Sequence, residues 1–440
     1  MLLGTQRFNA HGHLEIGGCD TVDLAREFGT PLYVMDEALI RERCRSFRAA
    51  FESRYDKVDV SFAGKAFLNL AMARIVQQEG LGLDVASLGE MHTALTAGFP
   101  PEKLLLHGNN KSHEELALAV KHGVGRIVVD NLFEMHALIT LARSARKIAN
   151  ILVRVAPGVD PHTHRLIRTG QEDTKFGFNI RSGDAMAAVR EALDAPDAIE
   201  VHGLHCHIGS QLLDARTHVD AIGVMVRFMR EVAEATQWMP EELDLGGGLG
   251  IRYLEEHHPP TADQFAESVV SALRDACEEH KTPAPRLLLE PGRYIVGEAG
   301  TTLYTVGAIK TVPITEKPGE RIYVAIDGGM SDNPRPQLYD SKYEVIVANR
   351  AGEARDRIAT IAGKHCETDI LVWDAKIGTV KPGDILAVQS TGAYNYSMAS
   401  NYNRFVRPAA ILVADGRARL ISRRETLDDL VRLDVIPGDL

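Results

Sequence analysis

Apolar residues along this chain fall into short bounded runs, separated by longer segments with apolar positions three and four apart. The run Val58-Asp-Val-Ser-Phe-Ala63 is rich in β-branched and aromatic residues and stops at Gly64, which predicts a buried strand. Similar runs follow at Gly82–Ser87, Leu104–Asn110, Arg126–Asn131, Asn150–Pro157, Val201–Ser210, Glu242–Gly250 and Arg286–Arg293. The connectors, among them Leu88–Ala97, Ser112–His122 and Leu132–Arg143, carry helical spacing. Eight βα units predict a (β/α)8 barrel, whose chemistry sits at the C-terminal strand ends. A doubly wound open sheet is the competing architecture. The count of eight, and the lack of a dinucleotide glycine fingerprint after the first strand, favour the barrel.

The flanks read differently. Val22–Phe28 is predicted as a short helix closed by Gly29, Thr30–Met35 as a strand and Ala38–Arg54 as a helix. Beyond about residue 300, strand patterns dominate: Thr302–Ile309, Arg321–Ile326, Tyr343–Val347, Asp369–Trp373, Asp384–Val388 and Ala410–Val413, with Lys381-Pro-Gly-Asp as a turn. These predict an all-β second domain.

Composition narrows the function. Hydrophobic content of 45% and charged content of 25% are those of a globular protein. A net charge of −11 with no basic run argues against nucleic acid or anionic membrane as partner. No segment has the apolar length of a transmembrane helix, and the first residues lack the apolar core of a signal peptide. Five scattered cysteines do not make a disulfide framework, so a reducing cytoplasm is expected.

Lys65 ends the first barrel strand and so stands at the mouth. Most lysines are solvated surface groups, and this one gains interest from what ends the other strands. Gly246-Gly247-Gly248 follows strand 7, where barrels often bind phosphate through backbone N–H groups, although tight turns use glycine too. Glu290 ends strand 8 and reads either as an ion-pair partner of Arg293 or as the group that keeps a pyridine nitrogen protonated. Lysine, glycine loop and glutamate together fit pyridoxal 5′-phosphate, with Lys65 as the Schiff-base lysine. In His205-Cys-His207 both imidazoles share a face. They read as a zinc pair of a hydrolase, with Asp84 and His107 as partial further ligands, as polar core, or as a lid in which His207 covers a cofactor ring and Ser210 reaches its phosphate. No metal is expected, because zinc leaves the glycine loop without a task. In the second domain, free cysteine is most often inert. Cys366, flanked by His365 and Glu367 in an expected loop, is nevertheless a candidate proton donor.

The motifs Phe62-Ala-Gly-Lys-Ala, Asp84-Val-Ala-Ser-Leu-Gly-Glu90, His107-Gly-Asn-Asn-Lys-Ser, Thr174-Lys-Phe-Gly-Phe, His205-Cys-His-Ile-Gly-Ser-Gln, Gly246-Gly-Gly, Glu290-Pro-Gly-Arg, Arg335-Pro-Gln-Leu-Tyr339, Cys366-Glu and Gly392-Ala-Tyr resemble those of the fold-type III pyridoxal-phosphate decarboxylases. The closest likeness is to those acting on diaminopimelate. The resemblance implies a barrel over 33–295 and a β domain made of 1–32 with 296–440, in a homodimer with shared active sites. It implies that Lys65 forms the Schiff base, His207 stacks on the ring and Glu290 pairs with the ring nitrogen. Asp84, Ser210, Gly246, Gly247, Gly248, Arg293 and Tyr394 complete the cofactor site. Arg293, Arg335, Tyr339 and Tyr394 meet the substrate. Cys366 and Glu367 come from the partner subunit, Glu367 to the distal amino group. The implied reaction converts meso-2,6-diaminopimelate to L-lysine and CO2, the last step of lysine biosynthesis. The alternative is decarboxylation of another amino acid, of the ornithine, lysine or arginine type, or of a carboxy-polyamine. Glu290 argues against a racemase of this fold, where arginine is expected at the ring nitrogen, and the β domain with Cys366 argues against a non-enzymatic cofactor carrier. Two departures stand out. Ser61-Phe62 replaces the tyrosine that usually opens the lysine motif, and the segment after Cys366-Glu367 is one residue short, which leaves Asp369 without an assigned role.

Overall fold

The computed structural model describes residues 2–159, 173–315 and 318–440. The chain separates into two compact units, one of Glu42–Ile251 with His258–Ile295, the other of residues up to Arg41 with Arg252–His257 and Val296–Leu440.

The first unit is a closed parallel barrel. Its strands are β1 (Val58–Ala63), β2 (Gly82–Val85), β3 (Leu104–Leu106), β4 (Arg126–Val129), β5 (Ala149–Ala156), β6 (Ile199–His205), β7 (Glu242–Asp244) and β8 (Arg286–Leu289). Each pairs in parallel with the next, and Leu287–Leu289 of β8 pair with Val58–Val60 of β1 to close the cylinder. Strands covered on both faces need near-continuous apolar sequence, which is why these segments read as runs and not as alternations. Phe178–Asn179 adds a two-residue parallel pairing to the end of β5.

Several outer helices start on a side-chain cap: Asn69, Ser87, Ser112, Asn131 and Thr261 each accept a backbone N–H from the first turn. Such caps contribute about 1 kcal/mol each and fix where a βα loop stops. Inside the barrel, Leu105, Val128, Leu152 and Leu288 pack together. At the first residues of β4 and β7, Arg126 grips Glu242 through two hydrogen bonds of 2.8 and 2.6 Å. Packing and an ion pair thus occupy the N-terminal side, and the strand ends beyond them carry polar groups.

The second unit is built on a seven-strand path running Ile370–Ile377, Arg357–Ala362, Glu320–Ile326, Gly300–Pro313, Leu32–Asp36, Ala409–Ala414 and Arg417–Ser422. Gly300–Pro313 is long enough to join two pairings. Its first half lies against Leu32–Met35 and Ile385–Val388, its second half against Glu320–Ile326 after a register shift between Val306 and Ile309. Leu32–Asp36, which straddles the boundary expected at residue 33, is buried along its length and hydrogen-bonded on both sides in this sheet. Arg357–Ala362 and Arg417–Ser422 are strands that the sequence pattern does not mark. The first carries small alanines, and the second is a polar edge strand with one neighbour. The helix of Thr21–Phe28 forms as expected, capped by Asp20.

Candidate active site

Lys65 sits in a single 3-10 turn, Gly64–Ala66, directly after β1, with its side chain exposed. Gly64 is dictated by close approach: a Cβ there would come within 2.6 Å of the Asp84 carbonyl oxygen on β2. The Lys65 ammonium acts on Asp84, His107 and His207, all at the C-terminal ends of barrel strands. Burial pushes the Asp84 and Asp244 carboxyls well above the usual carboxylate range, and the Glu290 charge pushes them further.

Glu290, just past β8, is the charged member of this carboxyl group. Burial opposes its charge, yet His107 and His205 hold it well below the ordinary range. Its Oε1 lies 2.8 Å from His107 Nε2 and 3.4 Å from His205 Nε2, although neither contact is aligned as a hydrogen bond in this side-chain arrangement. Burial pushes His205 down to about 4 and lowers His107 as well, while the attraction of the pair keeps Glu290 on the ionised side. Among the described residues, His205 of the zinc pair read from the sequence joins a cluster able to hold a metal, with His107 and Glu290, and His207 does not. His207 instead turns to the glycine loop, where its Nδ1 receives the Gly247 N–H at 3.3 Å.

That loop is tight at all three glycines. A Cβ on Gly246 would meet His207 Nδ1 at 2.5 Å, one on Gly247 the Glu290 carbonyl oxygen at 2.3 Å, and one on Gly248 the Gly209 carbonyl oxygen at 2.8 Å. Gly246 and Gly248 also have φ of 65° and 120°, a region costly for other residues. Arg293, buried at the start of a short helix, donates to Ser210 Oγ through Nη2 at 2.9 Å and Nε at 3.2 Å. A Cβ-free cradle, a hydroxyl gripped by a guanidinium and a buried carboxylate with an oxygen lacking an aligned partner are the donor set for a phosphorylated pyridine. The residues present fit pyridoxal phosphate.

The β-rich unit carries the rest of the expected residues. Arg335 opens the short helix Arg335–Tyr339, is buried, and lies under two rings, 4.7 Å from the centroid of Tyr339 and 5.1 Å from that of Tyr394. Its Nε has no hydrogen-bond partner. Cys366 and Glu367 are exposed on the loop before Ile370–Ile377. All five cysteines are free.

Some groups at the mouth escape a reading of the sequence. Arg154 on β5 is buried, ion-paired with Asp130 at 3.6 Å and stacked 4.3 Å over Phe176. A lone arginine inside Ile151-Leu-Val-Arg-Val was the available signal. Lys111 is buried against Glu134 at 2.8 Å and caps the carbonyls of Gly108 and Val128, which anchors the loop that follows His107. Asp244 spends its Oδ1 on the Gly246 N–H at 2.8 Å, and only its position at the end of β7 hinted at that.

The family described as "Pyridoxal-dependent decarboxylase, pyridoxal binding domain" matches residues 37–297. A diaminopimelate decarboxylase of Bacillus subtilis is 49% identical over 435 residues, covering 99% of this chain and 98% of that protein. Its counterpart in Bacillus methanolicus is 47% identical, covering 96% of each. The crystal structure of diaminopimelate decarboxylase from M. jannaschii in complex with L-lysine superposes with a TM-score of 0.92 at 34% identity, covering both chains fully. A cofactor-shaped barrel mouth and full-length likeness therefore agree, and the chain belongs to the diaminopimelate decarboxylase family of pyridoxal-dependent decarboxylases.

Proposed function

We propose that the protein decarboxylates meso-2,6-diaminopimelate to L-lysine and CO2, the last step of lysine biosynthesis. The reading is carried by full-length similarity to proteins of that activity, together with a barrel mouth whose buried Glu290 is held ionised. Pyridoxal phosphate, when bound, supplies the sink for the electron pair left by departing CO2.

The residues divide the work. Lys65 Nζ attaches the cofactor. Glu290 presents an anionic oxygen that keeps the proton on the ring nitrogen. His207, steadied by the Gly247 N–H, covers the ring. Asp84 lines the ring side of the mouth. Gly246, Gly247, Gly248, Ser210, Arg293 and Tyr394 hold the phosphate end. Arg335, with Arg293, Tyr339 and Tyr394, receives the substrate's far carboxylate, and Glu367 its far ammonium. Cys366 delivers a proton to the carbon that loses CO2. In this reading the enzyme is a cytoplasmic homodimer in which Cys366 and Glu367 of one subunit serve the barrel of the other. Five free cysteines support a reducing compartment. Among the described residues no helix is long and apolar enough to cross a membrane.

A second reading, a decarboxylase for a mono-carboxylic diamino acid, needs no buried cation for a far carboxylate. Arg335 between two tyrosine rings favours the first. Incubation of the purified enzyme and cofactor with a panel of amino acids, reading CO2 release, tests both. Release from meso-diaminopimelate well above that from ornithine, lysine or arginine is expected, and the reverse order overturns the assignment.

A further inference from the structure

Two loops of the β-rich unit are locked together around Cys366 and Glu367. Residues 363–369 turn about the side chain of Asp369, which is buried and stands at φ 35°. Asp369 Oδ1 accepts the Met330 N–H at 2.8 Å. Its Oδ2 accepts the His365 N–H at 3.2 Å and lies 2.6 Å from His365 Nδ1. Room for this carboxylate comes from two glycines: a Cβ on Gly329 or Gly363 would come within 2.1 or 2.0 Å of Oδ2.

The imidazole so fixed is itself a mount. His365 is buried, edge-on to Phe405 with centroids 4.8 Å apart, and parallel to Tyr402 at 5.9 Å and 11°. The Tyr402 hydroxyl donates to Glu367 Oε1 at 2.5 Å, and Asn403 Oδ1 accepts the Cys366 N–H at 3.2 Å. Both exposed residues are thus tied to the segment Tyr402–Phe405, which no motif of the sequence marked.

We propose that Tyr402 is a specificity-determining positioning residue, which aims the Glu367 carboxylate at the substrate's far ammonium group from a mount built by Asp369 and His365. The proposal rests on the reading of Glu367 given above. A free glutamate side chain loses rotamer entropy when it is ordered by a ligand, and that loss subtracts from affinity. A phenol orders it beforehand. Unlike a lysine or arginine partner, it leaves the negative charge intact, and the second carboxylate oxygen remains able to accept a cation. The segment one residue short after Glu367 thereby acquires a use: it places Asp369 under His365.

L-lysine and 6-aminohexanoate differ by the far ammonium alone, so the ratio of their competitive inhibition constants against meso-diaminopimelate isolates its recognition. We expect Tyr402→Phe to narrow the preference for lysine by roughly tenfold, the loss of one hydrogen bond to a charged group. It should raise KM for meso-diaminopimelate far more than it lowers kcat. Glu367→Gln should narrow the preference further, and the double variant no more than Glu367→Gln alone. Tyr402 is partly exposed, so the phenylalanine leaves the fold in place. If Glu367→Gln narrows the preference and Tyr402→Phe does not, the proposal fails and the role of Glu367 stands. Equal weakening of both inhibitors by Tyr402→Phe also overturns it, since the loop is then merely structural. If Glu367→Gln leaves the preference unchanged, the reading of Glu367 fails and the proposal falls with it.

Discussion

The carboxylate of Glu290 lies 2.8 Å from the Nε2 of His107, a residue that reaches it from the end of β3, across the barrel mouth. A buried carboxylate pays for its charge in lost hydration, and a titratable imidazole beside it offsets part of that loss. Removing the flank should therefore weaken the group that holds the ring-nitrogen proton. We predict that His107→Phe lowers kcat by roughly tenfold and that Glu290→Gln lowers it by about a hundredfold or more, the scale of one preorganised electrostatic contact in a dry site. Steady-state CO2 release checks this, with visible absorption confirming that the cofactor is still bound. An unchanged kcat in His107→Phe would show that Glu290 keeps its charge without His107.

Lys65→Ala should abolish turnover and remove the visible absorption of the purified protein. Cys366→Ala should lose turnover and keep the absorption. Mixed under conditions that exchange subunits, the two inactive proteins should recover part of the activity, because some dimers then hold one site with both groups intact. No recovery despite proven exchange would mean that Lys65 and Cys366 act within one chain.

Much of this was legible in the sequence, and the reason is geometric. Lys65, His205, Gly246 and Glu290 each follow an apolar run, and a parallel barrel puts every such position on one face. Arg154 and Lys111 were missed because their partners, Asp130 just past β4 and Glu134 in the first turn of the helix Leu132–Ala145, come from other elements, and no local pattern announces a buried ion pair. The strand read at Thr30–Met35 forms as Leu32–Asp36, but which sheet it enters depends on pairings with Gly300–Leu303 and Ala409–Val413, hundreds of positions away. Arg335 and Tyr339 stand at the two ends of one motif, and the short helix it forms brings them together. Asp369 had no role because spacing against a motif cannot reveal that its carboxylate folds back onto His365.

Arg335 gives the sharpest test of substrate. A guanidinium suits a carboxylate because its forked donors engage both oxygens. Losing one partner of a desolvated charge pair costs about 2–5 kcal/mol. Arg335→Met should lower kcat/KM for meso-diaminopimelate by roughly 30-fold or more on that scale. Slow turnover of ornithine or lysine should fall much less. An equal fall for every substrate would make Arg335 a structural or cofactor-holding residue.

His218 supports the glycine loop from behind. It lies on the helix Arg216–Thr236, buried edge-on against Phe265 at 4.8 Å, with Nε2 3.0 Å from the Gly247 carbonyl oxygen. Binding a carbonyl requires the proton on Nε2, so the ring acts as a neutral donor. Burial pushes its pKa down to about 4, against the upward pull of the Gly247 bond. In the unfolded chain the same group titrates near ~6.5. Between those values the unfolded state binds a proton that the folded state does not, so stability falls as pH drops from about 6.5 to about 4 and is unaffected above that window. Across it the loss attributable to this one residue sums to about 3 kcal/mol. His218→Gln keeps a donor but cannot titrate. We predict that the variant loses about 1 kcal/mol at pH 7 from a poorer hydrogen bond and regains the difference as the pH falls, ending nearer to or above the wild type at pH 4.5. Denaturant unfolding of both cofactor-free proteins at the two pH values decides it. A stability difference identical at both would show that His218 titrates in the fold much as it does in water, and that its hold on Gly247 does not depend on being neutral.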